Sequence, residues 1–220
     1  MEVALAPTLA WNDLLLGSTP FGEQCNAHYR RHYGLTKHSN LEEVYRFCAN
    51  VPQIRKYRVV SVVREPLERT VSLFNFVAGV LERIRGTLGL GLDELSHRRN
   101  ELALSHPQLN WPAMRAFLEA QLDFDAFVAA PSLQQAQGFQ SQVSQLSEQG
   151  ILPPDLCWIN TAQLNQAGEL LTELAGVTVT LGHFNASPQK LISPDQVQPR
   201  TRERILQRFA ADYAQFGFAV

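Results

Sequence analysis

One stretch constrains this chain more than any other: Tyr57-Arg58-Val59-Val60-Ser61-Val62-Val63, followed at once by Arg64-Glu65-Pro66. The first seven residues are short, β-branched and nearly continuous in apolar character, the pattern of a strand covered on both faces. Pro66 then suits the first turn of a helix, because its fixed φ is helical and its missing N–H has no intrahelical partner there. The apolar spacing that follows predicts a helix from Pro66 to Arg83 or Arg85, ending near Gly86. A strand that feeds directly into a helix argues for an α/β fold with a parallel sheet. Such sheets bind ligands at the carboxyl ends of their strands, and Arg64 stands at one such end.

The rest of the chain supports the same class. A second strand is expected at Leu156-Cys157-Trp158-Ile159, after the Pro153-Pro154 turn, with a helix from Ala162 to Leu174 closed by Gly176. Val177-Thr178-Val179 is a third extended run. Ile205, Leu206, Phe209, Tyr213 and Phe216 recur at helical spacing, so a last helix is expected from Arg200 to Tyr213. Phe139, Val143 and Leu146 give the Gln- and Ser-rich stretch 134–149 the spacing of an amphipathic helix. Residues 88–110 read as an irregular excursion and residues 111–127 as mostly helical. Trp111, Trp158, Phe74 and Phe76 are expected in the core, with one of them able to stack on a base.

Composition bounds the function. The chain has 220 residues, enough for a single domain over 1–220 with one core. Apolar residues make up 45% and charged residues 18%, which excludes wholesale disorder. The formal charge of −2 argues against nucleic-acid binding through a general field. No apolar run approaches the roughly 18–20 residues that span a bilayer. Glu2 and Asp13 fall where a secretory signal needs a basic region and an apolar run. Cys25, Cys48 and Cys157 are widely spaced and odd in number, as expected of reduced thiols in a cytoplasmic protein.

The chemistry concentrates after the first strand. Arg64 precedes a helix N-terminus, whose free N–H groups and positive dipole end favour anions. Arg69 and Ser72 are three apart and share a helix face. A guanidinium from the loop, a hydroxyl from the second turn and the helix end could converge on one phosphate. The alternative is that Arg64 and Arg69 pair with Glu65 and Glu68 as surface charges. A second cluster is His28, Arg30, Arg31, His32, Lys37 and His38. The i, i+4 histidines suit a metal in principle, but the surrounding cations oppose one, and no metal site is expected. This cluster reads either as a basic surface for an anionic acceptor or as a solvated helix face. Asn40 or Ser39 would cap the helix that runs to Phe47. His183 and Asn185 read as turn residues bonded to backbone. Arg200, Arg202 and Arg204 open the last helix, where a solvated face is the simplest reading.

In order along the chain, these segments resemble the sulfotransferases that use 3′-phosphoadenosine 5′-phosphosulfate (PAPS), in particular the carbohydrate-sulfotransferase group. The likeness rests on Arg64-Glu65-Pro66 with Arg69 and Ser72, on Lys37-His38-Ser39, on Gln140-Ser141-Gln142, on Gly182-His183-Phe184-Asn185 and on the run from Phe209 to Phe218. It implies a three-layer, P-loop-like α/β domain with a central parallel sheet flanked by helices. It further implies that Arg64 and Ser72, with Arg69, hold the 3′-phosphate of PAPS. Sulfuryl would pass to a hydroxyl or amine of a carbohydrate or small molecule. His38 is the expected base, since the acceptor must lose a proton and imidazole titrates near neutrality.

One part of the family pattern has no counterpart. The first strand and the Lys-containing loop that would hold the 5′-phosphosulfate are not found, and Gly17-Ser18-Thr19 lacks a preceding Lys. Two other readings therefore stand beside the enzyme: a relative that binds a nucleotide or anionic partner without turnover, and a P-loop kinase relative.

Overall fold

The computed structural model describes residues 17, 19–176, 178–180 and 190–219. The turn bearing His183 and Asn185, like Val177 and Ser18, lies outside the described residues. The helices are α1 (Pro20–Tyr33), α2 (Leu41–Phe47), α3 (Pro66–Leu88), α4 (Leu92–His97), α5 (Arg99–Leu102), α6 (Pro112–Glu119), α7 (Phe124–Ala129), α8 (Gln142–Leu146), α9 (Leu164–Ala175), α10 (Pro199–Arg208) and α11 (Ala210–Phe216). The strands are β1 (Val60–Val63), ahead of α3, and β2 (Cys157–Asn160), ahead of α9. The chain is thus mixed α/β, mostly helical, with a small two-stranded parallel sheet. It divides into two compact units, Met1–Arg64 with Gln142–Phe184 and Glu65–Ser141 with Asn185–Val220.

In the first unit, β1 and β2 pair in parallel from Val60 opposite Cys157 to Val63 opposite Asn160. Val63 and Ile159 are buried, and the remaining strand residues are half-buried or exposed. The valine run forecast a strand from Tyr57, but only four residues of it find a ladder partner. Tyr57 is exposed and follows a 3-10 turn over Pro52–Lys56. The helix α2 starts where the sequence placed it. The Asn40 side chain accepts from the Glu43 N–H at 2.8 Å, and the Glu43 carboxylate accepts from the Asn40 N–H at 3.0 Å, a capping box. Residues 178–180 form no strand, although Val179 is buried and its N–H donates to Thr172 Oγ1 at 2.9 Å.

In the second unit, α3 buries Leu67, Val71, Phe74, Ala78, Leu81 and Ile84, one apolar face at helical spacing. Phe74 is 1% exposed and meets Phe117, Phe124 and Phe127 with ring centroids 4.8, 5.3 and 5.1 Å away. This aromatic knot joins α3 to α6 and α7. The helix runs past Gly86 to Leu88 and stops at Gly89, which takes the left-handed conformation (φ 67°) that closes a helix.

Three segments differ from the sequence reading. Residues 88–110 are not irregular: they hold α4, α5 and a 3-10 turn, with Leu95, Leu102 and Leu109 buried. A leucine at every seventh position carried that signal. Residues 134–149 do not make one helix. Gln140 is extended (ψ 154°), so Phe139 packs from a 3-10 turn and α8 starts afresh at Gln142. The last helix breaks at Phe209 (φ −107°, ψ 23°) into α10 and α11, with Ile205, Phe209, Tyr213 and Phe216 all buried. Finally, Phe74 is core but Phe76, Trp111 and Trp158 are 45%, 39% and 37% exposed.

Candidate functional site

Arg64 follows the last residue of β1 and belongs to the first unit. Its backbone is gripped from both sides by one side chain. The Arg64 N–H donates to Gln142 Oε1 at 2.9 Å, and Gln142 Nε2 donates to the Arg64 carbonyl at 2.8 Å. Only an amide side chain offers a donor and an acceptor at this spacing. Gln142 is itself buried, so the strand-end conformation is fixed from within the unit.

In the second unit, the N-terminus of α3 differs from expectation. Its first amides are not open to a ligand. The Glu65 carboxylate accepts from Leu67 N–H at 3.0 Å and Glu68 N–H at 2.7 Å. A carboxylate at this position is stabilised by the same dipole that would attract a phosphate. Glu65 also accepts from the Tyr213 hydroxyl. Burial first, and then the contact with Glu65, push the Tyr213 phenol well above its ordinary range.

Arg69 is turned inward. Its Nη2 donates to the Gln140 carbonyl at 2.7 Å and lies 3.7 Å from Asp212 Oδ2. The guanidinium carbon sits 5.1 Å from the centre of the Phe209 ring. Asp212 is fully buried and accepts from Ser141 Oγ at 2.6 Å. Among the described residues Arg69 Nε has no hydrogen-bond partner. Burial lowers the Arg69 pKa, Asp212 opposes that and Arg208 adds to it; an arginine stays protonated throughout. Arg69 is paired to Asp212, not to Glu65 or Glu68 at the surface, and 18% of its side chain is exposed. Ser72, one turn further along α3, is half-buried.

His38 lies in the turn between α1 and α2, in the first unit. Its N–H donates to Thr36 Oγ1 at 3.1 Å. Next to it, Lys37 Nζ donates to Glu23 Oε1 at 2.6 Å, and the Lys37 N–H donates to Asn26 Oδ1 at 2.9 Å. Partial withdrawal from water lowers the His38 pKa, Lys37 lowers it further and Glu23 raises it. The ring is therefore neutral at neutral pH, the form a base requires. NMR titration of the His38 ring is expected to give a midpoint below 6.5, the unperturbed value. Lys37→Met should raise that midpoint and Glu23→Gln should lower it. A midpoint above 6.5 would refute this arrangement of charges.

The other expected residues fall as follows. The His28 and His32 rings lie tilted to one another with centroids 4.6 Å apart, in an aromatic row with Tyr29, Tyr33 and Phe47. Among the described residues no three His, Cys, Asp or Glu side chains converge as metal ligands. Arg202 Nε donates to the Val197 carbonyl at 3.0 Å and its Nη2 to the Pro194 carbonyl, whereas Arg200 and Arg204 are exposed. The cysteines are free and half-buried. Asp212 and Gln142 lie within motif runs read from the sequence, which assigned neither a role. Asp212 carried a signal, a carboxylate beside Phe209, Tyr213 and Phe216 on the inward face of the last helix.

No protein-family model, no curated protein and no solved structure matches this chain. Among the described residues no helix is long and apolar enough to cross a membrane.

Proposed function

We propose that this chain is a PAPS-dependent, sulfotransferase-type protein, with Arg64 and Ser72 as ligands of the 3′-phosphate. The reading includes the three-layer, P-loop-like arrangement of that family and an acceptor that is a carbohydrate or small molecule bearing a hydroxyl or amine. One observation carries it. Arg64 leaves the end of a parallel strand with its backbone locked by Gln142, and the chain then enters a helix at Pro66 with Ser72 in its second turn. Strand ends of this kind present side chains to ligands. An arginine there can make two charge-assisted bonds to a phosphate.

The residues fit this nucleotide in part. Arg64 and Ser72 suit the 3′-phosphate by chemistry and position in the chain. Arg69 supports the helix through Asp212 and is not a ligand in this reading. PAPS, when bound, supplies the sulfuryl group. The bond between sulfur and the bridging phosphate oxygen breaks, a bond from sulfur to the acceptor oxygen or nitrogen forms, and 3′,5′-ADP leaves. His38, neutral at rest, takes the acceptor proton.

Calorimetric titration with 3′,5′-ADP tests the reading. The wild-type chain should bind, 5′-AMP should bind much more weakly, and Arg64→Ala should lower affinity by roughly tenfold or more, the worth of a charge-assisted bond. A folded wild-type chain that ignores 3′,5′-ADP would overturn the assignment. Gly17-Ser18-Thr19 has no preceding Lys, which favours a second reading, a binder without turnover. Binding of 3′,5′-ADP with no release of it from PAPS, over a panel of hydroxyl and amine acceptors, would select that reading.

A further inference from the structure

The second unit carries a cleft lined by none of the residues assigned to the 3′-phosphate or to the base. It is built along one stripe of α3, where Phe76, Val80, Arg83, Ile84 and Thr87 follow at helical spacing, and is closed by His106, Gln108 and Trp111. Val80 and Ile84 are buried and form its apolar floor. Above them, the Phe76 and Trp111 rings lie within 10° of parallel with centroids 6.3 Å apart. Phe76 is 45% and Trp111 39% exposed, so both rings are open to a ligand.

The formal charge of the lining is positive, from Arg83. Arg83 and His106 are the titratable residues of the lining, and no carboxylate joins them. Arg83 is exposed and makes no ion pair among the described residues, and Glu82 beside it is taken by Arg85 at 2.6 Å. The His106 ring is oriented by Ser105, whose Oγ lies 3.0 Å from Nδ1. The Thr87 hydroxyl already donates to the Arg83 carbonyl at 2.9 Å, so it adds little to ligand recognition. The cleft volume, about 240 Å³, falls below the roughly 300–1,000 Å³ of sites for drug-sized molecules.

From parallel aromatic faces, an apolar floor and an unopposed guanidinium, we propose that this cleft binds a small, flat aromatic anion, its ring against Phe76 and Trp111 and its anionic group on Arg83. Aromatic rings stack on aromatic faces in offset geometry. Arginine makes charge-assisted bonds to carboxylate-type groups. A sugar would need several directional polar partners, and this lining offers few that are uncommitted. The inference uses none of Arg64, Ser72 and His38, the residues on which the sulfotransferase reading rests.

The test uses 2-naphthoate as the probe, titrated by calorimetry and by tryptophan fluorescence. The full chain should bind it saturably. Arg83→Gln should weaken binding by about tenfold, and the neutral isostere 2-naphthamide should be weaker than 2-naphthoate by a similar factor. Trp111→Ala should abolish the interaction. Both side chains are exposed, so far-ultraviolet circular dichroism should show each variant folded. No saturable binding by the wild-type chain would overturn the proposal. So would equal affinity in the Arg83→Gln chain, equal affinity for 2-naphthamide, or binding of glucuronate in preference to 2-naphthoate.

Discussion

Replacing Asp212 by alanine is expected to destabilise the chain by about 3–5 kcal/mol, the cost of removing one partner from a buried ion pair. Asp212 is fully buried, and the Arg69 side chain it faces is 18% exposed. A second guanidinium, that of Arg208, lies over the Phe139 and Phe209 rings at 4.9 and 5.5 Å and acts electrostatically on Arg69. Without the carboxylate, two cations are left beside two aromatic rings with their mutual repulsion uncompensated, and Ser141 loses its acceptor. Urea denaturation reads the effect directly. Asp212→Asn should cost less, because the amide oxygen can still accept from Ser141. The double variant Arg69→Met with Asp212→Leu should be more stable than Asp212→Ala, since replacing both members of a buried pair by apolar groups is often nearly neutral. A loss below about 1 kcal/mol for Asp212→Ala would show the pair to be screened by water as a surface pair is.

That ion pair also marks the boundary of what local sequence could disclose. Arg64 and Arg69 look alike in the sequence, five residues apart in one basic and acidic run. Their fates differ because of partners far along the chain: Gln142 for the Arg64 backbone and Gln140 with Asp212 for the Arg69 side chain. Features decided within a few residues were legible. Pro66 opens α3, Asn40 and Glu43 box the start of α2, and the valine run supplies β1. Features decided by distant packing were not. The strand from Tyr57 shortened to four residues because β2 offers only four partners. Phe74 and Phe76 are a local case that expecting both in the core passed over: two apart on one helix, they stand on different faces. One enters the aromatic knot and the other lines a cleft. The helix end showed an amide-rich anion site in the sequence, yet the next residue, Glu65, fills it. The dipole that makes this helix start an anion site holds the Glu65 carboxylate there.

Gln142→Leu carries the strongest expected effect in the first unit, because it tests stability and ligand binding together. Leucine has nearly the shape of glutamine and none of its hydrogen bonding. The substitution leaves the Arg64 N–H and carbonyl without the partners now at 2.9 and 2.8 Å. Each orphaned backbone group costs about 1–3 kcal/mol when water cannot replace the partner. Arg64 is half-buried, so a combined loss of about 2–4 kcal/mol is expected in denaturant titration. Gln142→Glu should fall between, since a carboxylate still accepts from the N–H but cannot donate to the carbonyl. The first of these variants also reports on Arg64 as a ligand. Gln142→Leu leaves the guanidinium untouched and adds no charge, so a change in its 3′,5′-ADP affinity comes from the freed backbone that aims Arg64. Under conditions where the variant is folded, affinity should fall for Gln142→Leu. An undiminished affinity in Gln142→Leu would mean that the amide grip stabilises the strand end without positioning Arg64, and the role assigned to it would be withdrawn.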